Sequence, residues 1–98
     1  MTDRVALQPD RSRYVLLREE GGASRELGEA TFRLEGDTIV FDHTEVDPEI
    51  GERGLGSTLV RGALEHVRAE RSERVVAECS FVRAYLEKHP EFEDLTTR

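Results

Sequence analysis

Residues 38–59 read TIVFDHTEVDPEIGERGLGSTL, and the fold follows from how this stretch is parsed. An apolar strand runs from Thr38 to Val46 and ends at a turn marked by Asp47-Pro48. A glycine loop follows, Gly51-Glu52-Arg53-Gly54-Leu55-Gly56, and opens directly into a helix. Such a succession builds an anion site. Glycine lets the backbone approach a ligand, the first N–H groups of a helix have no partner within it, and the aligned peptide dipoles add about half a positive charge there.

Downstream, Leu55, Leu59, Ala63, Leu64 and Val67 recur at helical spacing, with Arg61, Glu65, Arg68 and Glu70 on the other sides. The spacing predicts a helix over about Gly54–Glu70, with Glu65 and Arg68 as a supporting i,i+3 pair. Arg74–Cys79 (RVVAEC) is the next strand, and Phe81–Lys88 a second short helix stopped by His89-Pro90. In the tail, Glu91–Arg98, only Phe92 and Leu95 are apolar anchors. Strand 38–46, helix 54–70 and strand 74–79 form a βαβ unit, so the two strands run parallel if adjacent. The carboxyl end of each strand and the N-terminus of the helix then share one sheet edge, where His43–Val46, the glycine loop and Cys79-Ser80 converge.

Upstream the pattern is antiparallel. Arg4–Leu7 and Tyr14–Arg18 are candidate strands separated by Pro9-Asp10, and Glu20-Gly21-Gly22-Ala23 is a turn. Arg25–Leu34 alternates in part, with Gly28 as a candidate bulge, and Glu35-Gly36-Asp37 is a hairpin turn into Thr38. The expected class is therefore α/β with a mixed sheet: antiparallel N-terminal strands, a βαβ unit and a short C-terminal helix.

The whole chain, 98 residues, is read as one small domain with a modest core. Its net charge of −7 argues against a partner bound through nucleic-acid phosphates and suits either solubility or a cationic substrate such as an amine. A single cysteine, Cys79, rules out an internal disulfide and points to the cytoplasm. No run approaches the roughly 20 apolar residues of a membrane span. The N-terminus, MTDRVALQPDR, lacks the apolar run of a signal peptide.

The run HTEVDPEIGERGLGSTLV resembles motif A of the GNAT superfamily of acyl-CoA-dependent acetyltransferases, most closely its small single-domain YjdJ-like members. CSFVRAYLEKHPEFEDL matches their second block, a strand ending in Cys, an aromatic-containing helix and an acidic tail; together the blocks cover about Phe32 to Leu95. The resemblance implies a GNAT-like fold and acetyl-CoA or another acyl-CoA as cosubstrate, its pyrophosphate on the amides of a Gln/Arg-x-x-Gly-x-Gly/Ala loop. On this chain the loop glycines are Gly54 and Gly56, beside Arg53 and Leu55, with Gly51, Glu52, Ser57 and Thr58 completing the cradle and Thr44 and Val46 at the strand end. Gly51 stands where the family has Gln or Arg, which removes one contact that Arg53 could supply.

Three candidates carry the chemistry. His43 and Glu45 share a strand face and are candidate general bases for an amine, or simply a solvated strand end. Tyr85 lies one turn into the second helix, where larger members of the superfamily carry a tyrosine that protonates the departing CoA thiolate; an ordinary packing role is the other reading. Cys79, at a strand end just before a helix, is a candidate acyl-accepting thiolate or a small buried hydrophobe. No metal ligand set is expected, since His66 and His89 have no partner spacing. The expected activity is acetyl transfer to a small-molecule or peptide amine by a monomer or homodimer. The alternatives are a non-catalytic CoA-binding or acyl-CoA-sensing module and a small interaction protein that keeps the fold without the ligand.

Overall fold

A computed structural model describes residues 2–98. It comprises β1 (Thr2–Gln8), a 3-10 turn (Pro9–Arg11), β2 (Arg13–Glu20), β3 (Ala23–Glu35), β4 (Thr38–Val46), α1 (Leu55–Glu70), β5 (Arg74–Ala77), α2 (Ser80–Lys88), a second 3-10 turn (Pro90–Phe92) and α3 (Glu93–Thr96). The fold is a mixed α/β, GNAT-like arrangement: five strands in the order β1-β2-β3-β4-β5, the first four antiparallel and β5 parallel to β4.

Two element ends differ from the sequence reading, and both matter at the site. The fifth strand stops at Ala77, so Cys79 is the N-cap of α2 and not a strand residue. The cause lies in β4, whose Phe41 carbonyl accepts the amides of both Glu78 and Cys79, at 2.9 and 3.0 Å, and ends the parallel ladder there. Similarly, Gly54 is not the first helical residue. It is the N-cap of α1, at φ +82°, a left-handed conformation that glycine adopts without steric cost. The first three strands are also longer than expected, because cross-strand pairing extends past the apolar residues into Thr2, Glu20 and Ala23.

The strand pairings slip twice. Leu16 faces Gly28 but Leu17 faces Glu26, which leaves Leu27 of β3 as an extra residue beside the glycine expected to bulge. Thr31 faces His43 but Phe32 faces Phe41, which leaves Asp42 extra on β4, where it accepts a hydrogen bond from the Thr31 hydroxyl at 2.6 Å. Such bulges bend a strand and raise its twist.

One apolar core lies between the helices and a single face of the sheet. Tyr14, Leu16, Leu27, Phe32, Ile39 and Phe41 of the strands meet Leu55, Leu59, Val60, Ala63, Leu64 and Val67 of α1, all buried. Each buried Leu or Val is worth about 1.5–3 kcal/mol, whereas a side-chain N-cap is worth about 1. The apolar stripe therefore holds α1, and the helix can leave its N-terminus without a side-chain cap. The C-terminal anchors Phe92 and Leu95 complete the core, 1 % and 0 % exposed. Tyr14 reaches under α1 to share a hydrogen bond with His66 Nδ1 at 2.8 Å, and burial pushes its phenol pKa up to about 12.

Candidate functional site

Past Phe41 and Ala77 the two parallel strands part company. β4, bent at Asp42, continues to Val46 paired only with β3, while the chain after Ala77 turns into α2. Thr44 and Cys79 bridge the resulting gap, Cys79 Sγ lying 3.4 Å from Thr44 Oγ1. Burial of the half-buried thiol disfavours its thiolate, but the Thr44 hydroxyl and the amides of Val82 and Phe81 at the start of α2 outweigh it. The Cys79 pKa is accordingly lowered from 9.0.

The glycine loop lies on the same edge. Asp47 starts it with a local turn, its Oδ1 accepting the Glu49 amide at 2.9 Å and its carbonyl the Ile50 amide at 3.3 Å. Gly51 and Gly54 adopt φ +70° and +82°, and a Cβ at either would meet open space, so their backbone is approachable from outside. The first helical hydrogen bond runs from the Thr58 amide to the Gly54 carbonyl, at 3.0 Å, leaving the amides of Leu55, Gly56 and Ser57 without helical acceptors. The Thr58 hydroxyl also bonds the Gly54 carbonyl, at 3.0 Å, so it is turned toward the helix backbone. Arg53 is exposed, as is Ser57 on the first turn. At Gly56 the constraint is a neighbour: a Cβ would sit 2.7 Å from Cζ of Phe81, a ring 42 % exposed that lies over the loop from the start of α2.

The remaining candidates lie apart from the Thr44–Cys79 bridge. Because side chains alternate along β4, His43 and Glu45 project from the face opposite Thr44, both well exposed, with His43 Nε2 3.6 Å from Glu45 Oε2. Beside Glu45 lies an open groove of about 510 Å³, whose walls include Arg13, Glu26, Glu29 and Asp47. Val46 is half-buried against the core. Tyr85 is 5 % exposed, its ring stacked on His89 at 4.0 Å and tilted on Phe92, in a small cleft it shares with Ser57 and Phe81. Among the described residues Tyr85 Oη is a buried polar atom without a hydrogen-bond partner, and burial raises its pKa.

Two ionic ties were not expected from sequence. Arg18 holds both Asp3 of β1 and Glu52 of the glycine loop, and is itself only 8 % exposed. It keeps both carboxyls below their ordinary range, chiefly by hydrogen bonding. Its signal in the sequence is an arginine on the core-facing positions of β2, in line with Tyr14 and Leu16. Arg33 of β3 binds Glu78 bidentately, at 2.9 and 2.6 Å, tying the end of β5 to β3 across β4. That pair joins residues 45 apart, and nothing local announces it.

Among the described residues no three of His, Cys, Asp and Glu cluster so as to hold a metal. No curated protein matches the chain. A family model described as GCN5-related N-acetyl-transferase matches residues 13–95, from the start of β2 to the last core leucine, and the chain belongs to that family.

Proposed function

We propose that the chain binds acetyl-CoA or a related acyl-CoA with its pyrophosphate on the loop Gly51–Thr58, and transfers the acyl group to an amine. The observation that carries this reading is the parting of β4 from β5 beside an uncapped helix N-terminus, with the Thr44–Cys79 pair in the gap. Three free amides and a helix dipole suit a diphosphate. The apolar Phe81 ring continues from that end toward the thiol. We assign the proton of the amine to His43 or Glu45, exposed on the opposite face of β4, where the Glu45 carboxylate favours a cationic acceptor.

In this reading the Cys79 thiolate attacks the thioester carbonyl and CoA departs as its thiolate. The acceptor amine then displaces Cys79 and gives its proton to His43 or Glu45. One thioester replaces another, so the first step is close to neutral in energy, and the lowering of the thiol pKa favours the nucleophilic thiolate. Calorimetric titration with CoA followed by intact mass after incubation with acetyl-CoA tests both halves. CoA binding, one added acetyl group, its loss on adding amine and its absence in Cys79→Ala are expected. Full turnover by Cys79→Ala would instead assign direct attack of the amine on acetyl-CoA. CoA binding without turnover of any amine would leave a CoA-binding module, and absence of CoA binding would end the reading.

A further inference from the structure

The loop read as a phosphate cradle contains a carboxylate, Glu52, between Gly51 and Arg53. Left free among those residues, it would repel a diphosphate, and a unit charge within a few ångströms at a half-hydrated surface weakens anion binding by about tenfold. Glu52 is not free. Arg18 Nη2 donates to its Oε1 at 3.0 Å, and Nη1 donates to Oε2. Arg18 in turn cannot swing toward a ligand, because Nε and Nη2 are fixed on Asp3 Oδ1 and Oδ2 at 2.8 and 2.9 Å, and Asp3 is its direct cross-strand partner in β1. The guanidinium side chain is 10 % exposed and lies on the helix-facing side of β2, whereas the Glu52 side chain is 47 % exposed. The rigid, buried member of the pair is therefore the arginine, and the loop is the part that is held. A planar fork with donors on three nitrogens can grip two carboxylates in this way, and a lysine cannot.

We infer that Arg18 is a positioning residue for the coenzyme site: anchored by Asp3, it draws the Glu52 carboxylate onto the β1–β2 surface, fixing the glycine loop and neutralising the one charge in it that opposes phosphate. The inference rests on the reading of the loop as the CoA site, and it differs from a merely structural salt bridge in what the second substitution does. Removal of Arg18 harms binding because Glu52 is released, so neutralising Glu52 repairs most of the damage.

The test is a set of CoA titrations on folded variants, with amide hydrogen exchange of residues 51–56 in the free protein. Arg18→Ala is expected to weaken CoA binding about tenfold and to speed exchange in the loop. Arg18→Ala with Glu52→Gln is expected to return to within about threefold of the wild type, and Glu52→Gln alone to bind at least as well as it. A double variant as weak as Arg18→Ala would overturn the inference, since Arg18 would then act on the phosphates directly or through the fold. If the wild type fails to bind CoA, the coenzyme reading is lost on its own. Loop exchange unchanged by Arg18→Ala would overturn the positioning role whatever CoA does.

Discussion

Cys79 shows how one hydroxyl can set the character of a thiol. The sulfur is half-buried, which by itself would raise its pKa, yet the balance is a lowered value because Thr44 and two α2 amides favour the anion. Thr44→Val keeps the shape of the side chain and removes the hydrogen bond. The midpoint of Cys79 alkylation by iodoacetamide, followed against pH, should lie below 9.0 in the wild type and move upward in this variant. The direction is fixed by the sign of the interaction: a hydroxyl that donates to a thiolate stabilises the deprotonated form. A midpoint unmoved by the substitution would assign the shift to the α2 amides alone. In the single thiol of this chain the measurement has no competing signal.

Helix α1 carries two glycines whose neighbours give opposite expectations. A Cβ on Gly62 would fall 2.4 Å from Cγ2 and 2.6 Å from Cβ of Val5, so glycine is what lets β1 cross the helix closely. Overpacking of this kind costs about 1–3 kcal/mol, against a helix-propensity gain of up to about 1. Gly62→Ala should therefore lower the urea midpoint. At Gly56 the obstacle is the far end of the half-exposed Phe81 ring, which can rotate away. Gly56→Ala should leave stability unchanged or raise it by a few tenths of a kcal/mol. Urea denaturation of the two variants beside the wild type checks both signs. Equal losses would mean that Phe81 is held as firmly as Val5.

Over the whole molecule, arginine side chains hold several carboxylates in their charged form. Asp3 and Glu52 beside Arg18, Glu73 beside Arg71, Glu78 beside Arg33 and Asp94 beside Arg68 all have carboxyl pKa values below the ordinary 3.8 or 4.5. A carboxyl with a depressed folded pKa binds fewer protons folded than unfolded, so it adds stability above the unfolded value and loses it as pH falls through the folded one. The thermal midpoint should hold down to about pH 5 and then fall as the pH drops through 4.5 and 3.8 and below. Most of these groups are exposed, so the loss should be modest and smaller at high salt. Thermal melts against pH at two ionic strengths check this. A midpoint flat from pH 5 to about pH 2.5 would remove these ties from the account of stability.

The sequence by itself determined the parallel βαβ unit, the apolar stripe of α1 and the glycine loop before it. These are local: a strand face repeats every two residues, a helix face every 3.6 or so, and a crossover long enough for a helix makes its flanking strands parallel. Thr38–Val46 was legible to the residue because hairpin turn and Asp47-Pro48 bracket it. Only the tertiary structure decided where β5 ends, since the Phe41 carbonyl that stops it belongs to another strand. The bulge at Asp42 likewise depends on Thr31, and Arg18 meets its two carboxylates only when β1 and the loop arrive on either side of it. Tyr85 is the clearest case. Its position in α2 is plain from periodicity, but which way the helix turns it depends on α1, His89 and Phe92 packing around it. Periodicity encodes which residues share a face; it carries no record of which distant group that face will meet, and the chemistry of this site lies in those meetings.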